Sequence, residues 1–299
     1  MGKRVIVGLD STEYAEAAVR VANEMRVERG HPARAWGHYN FWLLYGYLQQ
    51  GRNSEALALL QGAREQAREF GGPPEDRMEL DPDRSVVGSA VQMWARYVIE
   101  TRDWGGDIAG WQFKSGDAFD PNLTISFIRT LQAANASLAA RASQFHEQFR
   151  ALMSGLEREI ARQDEPAPTD LLYLDRLRVM DRELAAAIAM ARGDVGAAIA
   201  QAQEASRLEG AMPFSFGPPF VDLPAAEYLG ELLLEAGRNQ EAAEAFSLQL
   251  ERSRLKPRAL EGLAEAQDRL GREAEARYNR AKLEQIRAAG DRLSTPTSP

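Results

Sequence analysis

Apolar residues in this chain recur every three to four positions, in blocks separated by glycine, proline and acidic stretches. That spacing marks one face of an α-helix. The blocks predict helices over 10–29, 33–50, 53–70, 85–102, 169–192, 195–209, 225–236, 239–254, 257–270 and 272–289. The longest run, 122–163, has no proline and one glycine, Gly155, and is expected to fold as a helix pair turning near Asn135, Ala136 and Ser137. Start and stop signals agree with these bounds. Asp10 or Ser11, Ser54 and Thr169 are cap candidates, while Gly30 with Pro32, Gly51, the run 71–74 and Gly193 end helices. Residues 75–84 read as an acidic linker and 164–168 as a break. Four glycines and Pro121 make 103–121 irregular, with at most a short helix. Residues 291–299 read as a disordered tail. Nowhere does polarity alternate with period two, apart from Arg4–Val7, which is too short to count. The expected class is all-α.

Two of the glycines are 34 residues apart, Gly237 and Gly271. Each sits between two helical patterns and each has an alanine five residues later, Ala242 and Ala276. A fixed period of this length with helix, turn and helix is the signature of stacked helical hairpins. Composition narrows the picture further. The chain has 299 residues, of which 44% are hydrophobic and 27% charged, enough for a sizeable core. A net charge of −8 argues against nucleic acid as a partner, since that binding rests on a cationic face. With no cysteine there are no disulfides, thiolate metal sites or thiol nucleophiles. No stretch reaches 18 apolar residues, so no membrane partner is expected, and the chain reads as cytoplasmic.

The 34-residue unit, with leucine, turn glycine and alanine at these offsets, resembles the tetratricopeptide repeat (TPR). Residues 37–70 carry it through Leu43, Tyr47, Gly51, Ala56 and Leu60. Residues 223–256 do so through Leu229, Leu233, Gly237, Ala242 and Phe246. Residues 257–290 do so through Leu263, Gln267, Gly271, Ala276 and Arg280, the arginine suiting a terminal repeat. Residues 179–212 match less fully through Ala185, Ala189, Gly193 and Ala198. Residues 121–154 match through Phe127, Leu131 and Ala140, with Asn135 in place of the turn glycine. The strings around Gly51 and Gly237 are similar to those of bacterial proteins of this repeat class. The resemblance implies a right-handed solenoid of about six antiparallel hairpins over 1–290, with 85–163 degenerate. Residues 10–29 would be an orphan half-repeat, as in a chain truncated at its N-terminus. The apolar edge of that half-repeat would favour self-association. The opening KRVIVGLDSTEYAEAAVRVA also resembles universal stress proteins, but the strands and phosphate loop that fold needs are missing downstream.

The resemblance further implies a concave groove lined by the first helix of each hairpin. Carried onto this chain, its residues are His38, Phe41, Tyr45, Leu48 and Gln49 at one end, then Glu227, Glu231, Leu234 and Glu235. At the far end it continues with Arg258, Glu261, Glu265, Asp268 and Arg269. Such a groove suits a protein or peptide carrying apolar and basic side chains. The plain alternative for the acids is a solvated face. Residues 211–224 hold four prolines and the three phenylalanines Phe214, Phe216 and Phe220. That loop either folds back as core or lids a pocket. The five tryptophans, Trp36, Trp42, Trp94, Trp104 and Trp111, are read as inter-helix core, with an aromatic pocket as the alternative.

Chemical motifs are lacking. Of the three histidines, His31 and His38 are separated by Pro32 and His146 stands apart, so no metal site is expected. Asp103–Asp107 has too few acids for a calcium loop. Serine-nucleophile, phosphate-loop and paired-carboxylate motifs are absent, so no catalytic residue and no cofactor is assigned. The expected function is therefore a non-catalytic protein–protein interaction scaffold. The alternative is a small-molecule binder or enzyme using an aromatic N-terminal pocket closed by 211–224. A third reading is a structural oligomer.

Overall fold

A computed structural model describes residues 10–72, 74–214 and 217–294. Among them are twelve α-helices, one short 3-10 turn and no strand. The helices are α1 (Asp10–Glu28), α2 (His38–Gln49), α3 (Asn53–Glu69), α4 (Val86–Thr101), α5 (Phe119–Asn135) and α6 (Ala139–Ile160). They continue as α7 (Pro168–Ala191), α8 (Val195–Ala211), α9 (Ala225–Glu235), α10 (Asn239–Arg252), α11 (Pro257–Arg269) and α12 (Glu273–Ser294). The turn Pro82–Arg84 precedes α4. The fold is all-α, as the periodicity predicts. Arg4–Val7, Phe216 and 295–299 lie outside the described residues.

Five helix pairs share one turn. The links 50–52, 136–138, 192–194, 236–238 and 270–272 are each three residues long. The middle residue of each is left-handed: Gly51 (φ 75°), Ser137 (φ 58°), Gly193 (φ 78°), Gly237 (φ 72°) and Gly271 (φ 73°). The following amide reaches back over the helix end in every case, as in Arg238 N–H to Leu233 C=O at 2.8 Å and Leu138 N–H to Ala133 C=O at 2.8 Å. This is the Schellman closure, which needs positive φ and so selects glycine. The turn alanine also recurs. Ala56, Ala142, Ala198, Ala242 and Ala276 each lie five residues past the left-handed residue, and each is wholly buried.

The register expected for 121–154 is therefore two residues off. Asn135 is the last residue of α5, its amide donating to Leu131 C=O, and Ala140 is exposed. Ser137 is the turn residue and Ala142 the packing alanine. Serine tolerates a left-handed conformation poorly. Ser137→Gly is expected to raise stability by about 1 kcal/mol in denaturant titrations; an unchanged or lower midpoint would show that the site carries no such strain.

Other bounds differ for local reasons. The helix expected from 33 starts at His38, because Gly37 has φ 90°. The segment before it is tied sideways instead, Ala35 N–H to Gln66 Oε1 and Gly37 N–H to Ser89 Oγ. Ser54 does not cap α3, whose cap residue is Arg52, and Ala167 rather than Thr169 precedes α7, with Pro168 in its first turn. Pro121 lies in the first turn of α5, where its missing N–H is no loss. α12 continues through 291–294, so that part of the expected tail is helical.

The count of about six hairpins becomes five, because α4 has no helical partner. The irregular stretch 102–118 packs in its place. Trp94 Nε1 donates to Ile108 C=O, Arg129 to Ala109 and Trp111 C=O, and Gln132 to Trp104 C=O. These long side chains satisfy carbonyls that a helix would satisfy internally. Trp94 and Trp111 are core, as read from the sequence.

Packing follows sequence order. α2, α4, α5, α7, α9 and α11 form one row, each touching the next, while α1, α3, α6, α8, α10 and α12 pack against that row. Phe246 of α10 is buried against Gly230 and Gly262; a Cβ at either would come within 2.7 Å of its ring. Bulk on one helix thus meets glycine on its two neighbours. Tyr14, Val21, Met25 and Val27 of α1 remain exposed, so the apolar edge expected of the first helix is there.

Candidate functional site

The free face of the first row carries most of the buried charge. Arg96 is the lone charge between Val86 and Ile99 on an otherwise apolar stretch of α4, and it is completely buried. Its guanidinium donates to Asp222 C=O (2.9 Å), Asp222 Oδ1 (2.9 Å) and Pro219 C=O (2.8 Å). Arg176 of α7 donates to the other oxygen, Asp222 Oδ2, at 2.5 Å. Two arginines from separate helices thus hold the carboxylate before α9, and with it the segment 217–222. Bonds to an ionised partner are the stronger kind, and here water is excluded.

That segment is a strap over a pocket of about 230 Å³. Gly217 has φ 111°, and a Cβ there would lie 2.5 Å from the Trp42 ring. Only glycine allows both the backbone angle and this close approach. Pro218, Pro219 and Phe220 line the pocket from above, and His38, Phe41 and Trp42 of α2 line it from the side. Gln92, Asp120, Thr124, Tyr173, Arg176 and Asp222 complete the wall with residues 80–83. His38 stacks on Trp42, with ring centroids 5.1 Å apart, and its Nδ1 is 3.1 Å from Asp83 Oδ2.

The carboxylates here are of two kinds. Asp120 accepts from Tyr173 Oη at 2.7 Å and lies 4.0 Å from Arg176, yet burial pushes its carboxyl up to about 6. Asp222 is fully paired. Burial also raises the Asp83 carboxyl. Asp83 Oδ1 and Gln92 Oε1 are buried acceptors without a partner in the protein.

A second cluster fills the centre of the row. Lys256, just before α11, is almost wholly buried and donates to both oxygens of Glu100, at 2.5 and 2.6 Å. Arg258 donates to Glu100 C=O at 2.8 Å. Arg102, left-handed at the end of α4, pairs with Glu231 at 2.7 Å and lies 3.5 Å from Glu227. Burial raises Glu227 to about 7, because its contacts to Arg102 and Arg258 (4.0 Å) are longer than hydrogen bonds and its Oε2 has no partner. Glu100 goes the other way, down to about 2, since Lys256 and Arg96 outweigh its burial. Glu183 of α7 is wholly buried with neither oxygen partnered, and its carboxyl is raised well above the usual range.

The implied groove residues therefore separate into three places. His38 and Phe41 enter the pocket, together with Phe220 of the loop. Tyr45, Gln49, Glu227 and Glu231 belong to the central cluster, where Tyr45 lies 5.5 Å from Lys256 Nζ and Gln49 bonds Glu100. Glu235, Glu261 and Glu265 are exposed on α9 and α11, and Glu265 pairs with Arg269. They do not line one open groove, since Lys256 and Arg96 occupy its middle. For the loop, both readings apply to different parts. Val221 and Leu223 are core, 217–220 cover the pocket, and Phe214 is exposed.

Arg96, Arg176, Asp120, Tyr173 and Asp222 were not marked by any motif. Their only trace in the sequence is charge at inward helical positions, as with Arg96 inside its apolar run. Among the described residues no three His, Asp or Glu side chains converge to hold a metal ion, and no helix is long and apolar enough to cross a membrane. Compared with known proteins, the chain matches no family model, no curated protein and no solved structure.

Proposed function

We propose that this is a non-catalytic binding protein on a TPR-like frame, and that its ligand sits in the pocket under the 217–222 strap. The five three-residue turns and their buried alanines support the frame. The solenoid would be right-handed, as that family implies. The pocket carries the functional reading, because it is aromatic, partly polar and closed by a pinned segment, the usual form of a small-ligand site. This favours the small-molecule alternative over a peptide laid along the whole groove, whose centre is taken by Lys256, Glu100 and Arg96. No nucleophile with an adjacent base, and no convergent acid–base pair set against an oxyanion site, accompanies the pocket, so binding rather than turnover is proposed.

Thr124, buried in α5, lines the pocket and offers a way to fill it. In affinity mass spectrometry against a metabolite extract, the wild-type chain should retain a ligand mass that Thr124→Phe loses, with the two proteins melting within a few degrees of each other. Equal retention by both, or by neither, would overturn the reading.

A further inference from the structure

We propose that the ligand carries a primary ammonium group on a compact apolar body, with the ammonium seated at Asp83 and Gln92. This rests on the pocket reading above and specifies its chemistry.

The charge of the wall sets the sign. Asp81, Asp83, Asp120 and Asp222 line the space with a single guanidinium, that of Arg176. Arg176 is already committed to Asp222 and lies 4.0 Å from Asp120, while Arg96 answers Asp222 from behind. The excess carboxylate is thus at the Asp81–Asp83 end, next to α4 and α2. His38 covers one oxygen of Asp83, and the other oxygen is buried without a partner. Leaving such an acceptor unmet costs about 1–3 kcal/mol, more for a charged group, so a donor from a ligand is strongly favoured there. Gln92 Oε1 presents the same vacancy.

Both unmet atoms accept, so the ligand end must donate. A primary ammonium has three donors. A quaternary ammonium has none and would leave both atoms unmet. A carboxylate would approach the one unmet donor, Arg176 Nε, only by joining Asp120 and Asp222 as a third anion. Metal cations are disfavoured, since the carboxylates do not converge on one point.

Volume and aromatics set the rest. A cavity of about 150 Å³ accepts benzene, so about 230 Å³ accommodates one ring with a short side chain. Trp42, Phe41 and Phe220 provide apolar faces for that ring, and the electron-rich face of Trp42 also favours a nearby cation.

The test is isothermal titration calorimetry of the full chain with four probes of one shape: 2-phenylethylamine, its N,N,N-trimethyl derivative, 2-phenylethanol and 3-phenylpropionate. The amine should bind at least tenfold more tightly than each of the others. Asp83→Asn and Gln92→Leu should each weaken the amine at least tenfold without changing the melting temperature of the free protein. If the alcohol or the acid binds as well as the amine, the ammonium assignment fails while the pocket stands. If the amine binds but neither substitution matters, its site lies elsewhere and the assignment fails. If none of the probes binds, the ammonium assignment is overturned, and retention of a ligand by wild type but not Thr124→Phe decides separately whether the pocket reading survives.

Discussion

Lys256→Met will lower stability by about 3 kcal/mol, a fall of roughly 5–10 °C in melting temperature. The ammonium is nearly wholly buried and holds both oxygens of Glu100, a residue 156 positions away in sequence. Methionine fills the same volume but leaves Glu100 charged in a dry interior, with Arg96 3.6 Å away as its remaining close cation. Removing one member of a buried pair is costly because the survivor keeps its desolvation penalty; removing both is far less so. Lys256→Met with Glu100→Gln should therefore recover most of the loss, with a coupling energy of about 2 kcal/mol in a double-mutant cycle. If the double variant is as unstable as the sum of the singles, Lys256 acts through packing and not through this pair. The pair joins α4 to the start of α11, so the same loss should appear as faster amide exchange at both ends of the row.

Stability should also rise as pH falls from 8 to 5, by on the order of 3 kcal/mol. Glu227 is raised to about 7 and Asp120 to about 6, both chiefly by burial, and Glu183 is raised as well. A carboxyl whose folded pKa exceeds its unfolded value binds its proton more tightly when folded. Its contribution is complete below the unfolded pKa and is lost as pH climbs through the folded one. For Glu227 and Asp120 that window runs from about 4 to 7. Glu100 opposes this at lower pH. Held at about 2, it stabilises the fold above its ordinary range, and that contribution fades as pH drops from about 4.5. Asp181, lowered by His146 and Arg150, behaves the same way. The expected profile peaks near pH 5. Urea midpoints at pH 5, 6, 7 and 8 measure it, and Glu227→Gln should flatten the upper part. A midpoint that is constant or rises from pH 5 to pH 8 would be incompatible with neutral buried carboxyls.

Helix positions were legible in the sequence to within a few residues because each helix states its own periodicity and its own stops. The turn at Gly237 could be read from one glycine and one alanine. The turn at Ser137 could be located only approximately, because serine is not a residue that announces positive φ, and the expected register slipped by two. Residues 102–118 replace a helix by reaching partners on α4 and α5, which no local pattern records. The pocket was half legible. His38, Phe41 and Phe220 could be named from the sequence, but Asp120, Tyr173, Arg176 and Asp222 could not. They come from α5, α7 and the loop before α9, and nothing in any one segment signals the others.

By itself the sequence determined an all-helical chain, the places where hairpins turn, and the small residues that let helices approach. These are short-range matters of backbone angle, side-chain size and the 3.6-residue repeat. Only the tertiary structure decided which charges are buried and paired, that the centre of the implied groove is closed by Lys256 and Glu100, and that the strap covers a pocket. A charge at an inward helical position reads the same whether it meets solvent, a ligand or an opposite charge more than a hundred residues away. Its partner is fixed by how the first row of helices bends back on itself, a property of the whole array and of no single repeat.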